Sequence, residues 1–289
     1  MRPVSASRLS AGAILVIIAF ITAAAGSTRA EAASDGTVSR LVAGTAPVTA
    51  ASDDLSDVSS DRAVAMPAIA RRTPTPADAP SDRADEALRA LADRVTRSSH
   101  SDALRTAFTA YYNYRSANPG SVTKPYLYYV DMGLDNGTAR GYVFDMDQLT
   151  VVDGPFTVAH GRGSARTRDG VPTSFSNRPG SKATSLGLYL AQETYNFSGK
   201  SGGRRYTSVG LRMRGESGKF NSAARSRGIV AHGAPYVTAG SAGRSEGCPA
   251  MEMKRAQRLL PMIANGGVVF IYSPKASDWL SRDPWILAD

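Results

Sequence analysis

The stretch Ile229–Ala250 reads IVAHGAPYVTAGSAGRSEGCPA and contains the single cysteine of the chain, Cys248, and one of its three histidines, His232. The apolar residues before His232 predict a buried strand that ends near the histidine. Gly247 and Pro249, on either side of Cys248, predict a sharp backbone turn. A thiol, a histidine base and a glycine-bounded turn are the parts of a thiol acyl-transfer site, which is the leading hypothesis for this stretch.

The start of the chain bears on how the single cysteine is interpreted. Two arginines precede an apolar run from Ala11 to Ala25, and Ala30-Glu31-Ala32 matches an A-x-A cleavage site. This pattern predicts a signal peptide over residues 1–32 and export to the periplasm or cell wall. A retained membrane anchor is the alternative, so membrane association is expected only if the signal stays uncleaved. An unpaired cysteine is unusual in an oxidising compartment, and the polar, turn-like context of Cys248 favours a functional thiol over a buried small hydrophobe.

Charge and motif content narrow the function classes. The formal net charge is +9, and from Ser121 onward there are 21 Lys and Arg against 13 Asp and Glu. A basic exported domain suits an anionic cell-wall polymer or membrane headgroups. There is no nucleic-acid recognition motif, so no nucleic-acid partner is expected. We predict no metal and no cofactor, because there are no close zinc-ligand pairs, phosphate loop or dinucleotide fingerprint.

Composition divides the rest of the chain into four segments. Residues 33–80 are rich in Ala, Ser, Asp, Thr and Pro and have no aromatic residue, which predicts a disordered tether. Residues 81–120 place apolar side chains at helical spacing and predict a helical segment packed on the domain that follows. Residues 121–275 form the predicted catalytic domain, and residues 276–289 a C-terminal tail.

Short strands with Gly-rich turns dominate the predicted domain. Tyr126–Val130 and Arg140–Phe144 flank Asp135-Asn136-Gly137, which is a hairpin signal. Further strands are predicted at Leu149–Val152, Phe156–Ala159, Ser185–Leu190, Tyr206–Met213, Gly228–Ala231 and Val268–Tyr272, with a helix at about Met253–Asn265. Many strands and few helices indicate a single mostly-β domain.

The candidate chemistry centres on the thiol. His232 would take the proton of Cys248 and later return it to the leaving amine. The backbone N–H groups of Gly247 and Cys248 are the predicted donors to the oxyanion of a tetrahedral intermediate. For the second ring nitrogen of His232, the Gly233 carbonyl is one candidate partner and Glu246 a weaker one.

A further set of residues is predicted to bind substrate. Arg244, four residues before Cys248, would hold a substrate carboxylate or lower the thiol pKa, with a solvated surface arginine as the alternative. Ser245 and Gly233 belong to the same predicted set. His160 follows a strand and precedes a glycine, so it could line the same cleft, although a structural histidine is an equally good interpretation.

His232-Gly233 followed by Gly243–Ala250, which reads GRSEGCPA, resembles the murein L,D-transpeptidase catalytic domain family (YkuD-like, second subfamily). Supporting pieces are Val158–Gly161, Phe175–Asn177, Gly180-Ser181, Ser185–Gly187 and Asn221–Val230. The resemblance implies an L,D-transpeptidase-like β-sandwich or barrel with Cys248 as nucleophile and His232 as base. It implies peptidoglycan stem peptides as substrates, cleaved between the third residue and D-Ala. The acyl group would pass to an amine acceptor on a second stem peptide or an anchored protein.

Two departures from the family pattern matter. The broader family usually has Ser-His-Gly-Cys, whereas Glu246 stands at the position of that histidine, and Pro249-Ala250 follow the cysteine. A carboxylate beside a thiol raises its pKa or contacts an amine substrate. Two alternatives stay open: an L,D-carboxypeptidase that uses water as acceptor, and a catalytically silent wall-binding module that keeps the fold.

Overall fold

The computed structural model describes residues 79–287, and these residues fall within one compact unit. The predicted signal peptide and nearly all of the predicted tether lie outside the described residues. Within 79–287, no helix is both long enough and apolar enough to span a membrane.

Two helices precede the sheet, as predicted. Helix α1 spans Pro80–Leu91 and helix α2 spans Ala103–Ala117. Proline fits the first helical position of α1, because the N–H that it lacks would have no partner there. Helix α2 buries its aromatic face, and Phe108 makes an edge-on contact with Phe144 at a ring-centroid distance of 5.5 Å. Two further helices are α3 (Met253–Ile263) and α4 (Ser277–Leu280).

Ten strands occur within residues 79–287. They are β1 (Tyr126–Asp131), β2 (Gly141–Asp145), β3 (Thr150–Phe156), β4 (His160–Gly161), β5 (Gly187–Ser201), β6 (Arg204–Gly215), β7 (Val230–Gly233), β8 (Arg244–Ser245), β9 (Ala250–Met251) and β10 (Val268–Tyr272). Eight of them make one mixed sheet in the order β3-β2-β1-β10-β5-β6-β7-β9, and β4 and β8 make a separate parallel pair. The mostly-β fold class with few helices is confirmed.

Strand β10 lies at the centre of the sheet between β1 and β5, and it runs parallel to β1 with Phe270 opposite Tyr129. Every residue of β10 is buried, which explains its unbroken apolar sequence: a strand covered on both faces needs no polar alternation. Helix α4, in the predicted tail, also joins this core. Its Trp279 is buried, with its ring 5.9 Å from those of Phe270 and Tyr272.

The hairpin of β5 and β6 is much longer than the sequence predicted. Strand β5 has 15 residues and stays paired with β6 out to Ser201 opposite Arg204. The sequence interpretation placed this strand at Ser185–Leu190, so it ended 11 residues before the observed end at Ser201. Cross-strand pairs hold the extension together, and its aromatic side chains reach the candidate site.

Candidate active site

Cys248 and His232 come together through the pairing of two short parallel strands. His232 lies in β7 opposite Ala250 of β9, two residues after Cys248. The His232 backbone N–H also donates to the Pro249 carbonyl at 3.3 Å. Among the described residues, the thiol donates its hydrogen bond to the Gly228 carbonyl at 3.9 Å and not to the imidazole. The strand register therefore places the His232 backbone close to the turn that carries Cys248, without a thiol–imidazole hydrogen bond among the described residues.

The Cys248 thiol is held in its neutral form. Burial raises its pKa to about 11, and the Glu246 carboxylate adds a smaller rise. The Val230 backbone N–H and the Arg227 guanidinium act in the opposite direction. With that pKa, roughly one thiol in ten thousand is ionised at pH 7. A base must therefore remove the proton during attack, since a preformed thiolate is too rare to carry the reaction.

His232 is neutral as well and is oriented for that task. Its side chain is buried, and burial lowers its pKa to about 4. Its Nδ1 lies 3.0 Å from the Gly233 carbonyl, and a carbonyl only accepts, so Nδ1 carries the proton and Nε2 is left as the base. Phe197 of β5 stacks on the imidazole with the centroids 4.1 Å apart. Gly233 is thus the residue that orients the ring.

The turn before Cys248 depends on Gly247. Its φ of +130° is a conformation that L residues rarely adopt. The Gly247 N–H donates to Ser245 Oγ at 3.1 Å. Of the two predicted oxyanion donors, the Gly247 N–H is therefore already used in a hydrogen bond within the turn. The Cys248 N–H has no hydrogen-bond partner within residues 79–287.

Ser245 is buried and braces this turn. Its hydroxyl accepts from the Gly247 N–H and donates to the Cys248 carbonyl at 2.6 Å. The donor of the hydroxyl is therefore already used inside the protein. The structure gives the Ser245 side chain a supporting position rather than the predicted position facing substrate.

His160 is also turned away from the predicted cleft. A Cβ on its neighbour Gly161 would lie 2.7 Å from the Gly247 Cα, and successive side chains of a strand point in opposite directions. His160 therefore points away from the nucleophile turn, where Arg140 donates to its Nδ1 at 3.1 Å. Burial and the charges of Arg140 and Arg244 lower the His160 pKa to about 3, so the imidazole is neutral.

The two remaining predicted substrate contacts differ in exposure. Arg244 is exposed at the start of the β4–β8 pair. Gly233 is buried, and a Cβ there would meet Ser208 Oγ at 2.3 Å and the Met253 Cα at 3.1 Å. Arg244 is accessible to a ligand, whereas Gly233 acts through its carbonyl on His232.

Arg227 belongs to the site although the sequence interpretation gave it no role. Its guanidinium donates to the carbonyls of Ser176 and Ala183 at 2.7 and 2.8 Å, and its charge lowers the pKa of the Cys248 thiol. Nothing in the sequence separates it from Arg225, which pairs with Glu193 at 3.0 Å on the surface. Only the fold distinguishes the two arginines.

Glu246, the departure from the family pattern, is compensated by cations. Its carboxylate lies 2.9 Å from Arg162 Nε and 3.5 Å from Lys182 Nζ. All three side chains are partly exposed, so each pair contributes little to stability. The pairing nevertheless directs the carboxylate toward Arg162 and Lys182, which explains why its effect on the thiol pKa is a minor one.

Titration of Cys248 tests this electrostatic description. Because the full chain has one cysteine, its rate of alkylation by iodoacetamide reports this thiol alone. We expect that rate to rise about tenfold per pH unit between about pH 7 and 10, since only the thiolate reacts. Arg227→Gln should raise the thiol pKa and slow alkylation throughout this pH range. Arg225→Gln is the matched control and should leave the rate unchanged, and a plateau below about pH 9 would contradict the buried neutral thiol.

No cluster of three or more potential metal ligands occurs in the part of the chain that the structure describes.

A family model for the L,D-transpeptidase catalytic domain (YkuD_2) matches residues 96–272, more than half of the chain. The search of curated proteins found no match.

Among solved structures, an L,D-transpeptidase from Mycobacterium smegmatis is 14% identical with a TM-score of 0.32, over 51% of this chain and 58% of that one. One from Mycobacterium tuberculosis H37Rv is 15% identical with a TM-score of 0.30, over 51% and 57%. An L,D-transpeptidase (Yku) from Stackebrandtia nassauensis is 13% identical with a TM-score of 0.33, over 68% and 92%. The chain thus spans less than two thirds of the length of the first two.

Proposed function

Because the chain belongs to the L,D-transpeptidase catalytic domain family, we propose that it is a cysteine-dependent peptidoglycan L,D-transpeptidase. Members of this family act on the peptidoglycan of the cell wall. The observation that carries the proposal for this chain is the β7–β9 register, which brings His232 beside the Cys248 turn. We assign Cys248 as the nucleophile and His232 as the general base and acid.

The first half-reaction acylates Cys248. As its sulfur attacks the carbonyl carbon of the third stem residue, the thiol proton passes to His232 Nε2. The unprotonated Nε2 follows from the hydrogen bond between Nδ1–H and the Gly233 carbonyl at 3.0 Å. The oxyanion accepts a hydrogen bond from the backbone N–H of Cys248. The C–N bond to D-Ala then breaks, the proton moves from His232 to the leaving amine, and a thioester remains.

The second half-reaction transfers the acyl group. An amine attacks the thioester carbon and gives its proton to His232, which returns a proton to the departing sulfur. An amine on a second stem peptide or an anchored protein would give a cross-link. Both Cys248 and His232 are buried, and exclusion of water from the thioester would favour transfer over hydrolysis. The substrate requires that this domain act at the cell wall, outside the cytoplasm.

Mass spectrometry of the full chain tests the proposal. Incubation with a muropeptide carrying a tetrapeptide stem should release D-Ala and add the mass of the tripeptide acyl group to the protein. The adduct must map to Cys248, because there is no other cysteine. Cys248→Ala is the control and should stay unmodified.

Addition of an amine-bearing stem peptide separates the alternatives. A cross-linked product supports the transpeptidase. Release of the free tripeptide without a cross-link would identify an L,D-carboxypeptidase instead. Absence of any adduct on the unchanged protein would contradict catalysis and favour a silent wall-binding module.

A further inference from the structure

A groove of about 330 Å³ opens beside the nucleophile turn. Arg162 follows β4 on one side of it, Arg244 begins β8, and Lys200 lies near the tip of the β5–β6 hairpin. The other side chains that matter here are those of Arg168, Tyr236 and Glu246. The groove is thus built from three separate parts of the chain that meet only in the folded protein.

The groove carries a positive charge that ion pairs with the protein's own carboxylates do not fully neutralise. Four of its side chains are cations, and Glu246 is its one carboxylate. That carboxylate is already paired with Arg162 and with Lys182. Within residues 79–287, neither Arg244 nor Lys200 has an ion pair or a side-chain hydrogen bond. Two cations therefore face the groove with their donors free for an anion.

Two residues of the groove lining lie near the Cys248 turn. Glu246 is two residues from Cys248, and Tyr236 forms part of the wall. Burial raises the pKa of Tyr236, and the nearby Cys248 thiol and Glu246 carboxylate contribute to that rise. The Tyr236 hydroxyl therefore lies within electrostatic reach of both the thiol and the groove, and a ligand part bound there would be close to the bond under attack.

We infer that this groove binds a free carboxylate of a peptidoglycan stem peptide, other than that of the terminal D-Ala, through Arg244 and Lys200. This inference rests on the proposed function. A guanidinium fork matches the two oxygens of a carboxylate, and a lysine ammonium adds an adjustable charge. Glu246, held by Arg162 and Lys182, keeps the adjoining part of the groove from binding a second anion. The groove thus selects stems whose carboxylates are free over stems in which those groups are amidated.

Direct binding tests the inference without any turnover. The full chain with Cys248→Ala is titrated by calorimetry with a tetrapeptide stem whose carboxylates are free, and with the same peptide amidated at every carboxylate except that of the terminal D-Ala. We expect the free peptide to bind about tenfold to a hundredfold more tightly, as charge-assisted hydrogen bonds allow. Added salt should narrow this difference, because the groove is open to solvent.

Two variants in the same background localise the effect. R244Q/K200Q should weaken binding of the peptide with free carboxylates about tenfold to a hundredfold. Binding of the amidated peptide should stay unchanged. R89Q/K254Q removes the same charge from exposed positions outside the groove. It should leave the affinity for both peptides unchanged. Equal binding of the two peptides, or equal losses for both in R244Q/K200Q, would overturn the inference.

Acylation of the protein without substitutions identifies whether the donor or the acceptor stem supplies the carboxylate. It also separates the carboxylate-site inference from the proposed transpeptidase activity. If the carboxylate belongs to the donor, amidation slows adduct formation without any acceptor present. If it belongs to the acceptor, amidation slows only the transfer step. A missing adduct alongside selective binding would refute the transpeptidase and leave the carboxylate site standing.

Discussion

Replacing His232 with glutamine is expected to slow acylation of Cys248 about a hundredfold to ten-thousandfold, the range of general-base contributions. The thiol pKa of about 11 makes the base necessary at neutral pH. Glutamine keeps a similar size and a hydrogen-bonding end but cannot take the proton. The measurement is the single-turnover rate of adduct formation at pH 7, with Cys248→Ala as the baseline.

The pH dependence separates loss of the base from loss of structure. The thiolate fraction rises with pH up to about 11, so the rate of the His232→Gln protein should climb as pH rises and the difference should narrow at high pH. A variant that is merely misfolded would show no such recovery. His100→Gln changes an exposed histidine and is the matched control. Unchanged acylation in His232→Gln at pH 7 would remove His232 from the mechanism.

Replacing Gly247 with alanine is expected to lower the acylation rate about a hundredfold and the free energy of unfolding by about 1–3 kcal/mol. The φ of +130° at Gly247 is strained for alanine. A Cβ would also lie 3.0 Å from Ile229 Cδ1 and 3.1 Å from the Ala183 carbonyl. The turn must then shift, and Cys248 shifts with it relative to His232.

The matched control is Gly240→Ala, where no atom lies within 4 Å of the added Cβ. Denaturant unfolding and single-turnover acylation of both proteins make the comparison. Gly247→Ala with normal acylation would show that the turn geometry is not required. Equal losses in both variants would mean that glycine content, and not this position, matters.

Some features could be predicted because they are local. An apolar β-branched run such as Val268–Tyr272 has one stable environment, the interior of a sheet, and it became β10. Gly247 and Pro249, on either side of Cys248, specified a turn, because φ preferences act within single residues. The family motif around Cys248 indicated the family for the same reason, because it is contiguous in sequence. The polar residues of the outer β5–β6 hairpin gave no comparable signal.

What the sequence by itself determined is the family, the mostly-β class, and Cys248 and His232 as candidate nucleophile and base. Only the tertiary structure decided which other side chains meet them. It placed Phe197 on the imidazole, Arg227 near the thiol, and His160 against a buried arginine instead of in the cleft. The physical reason is that strand register, set by burial of the whole core, brings together residues far apart in sequence.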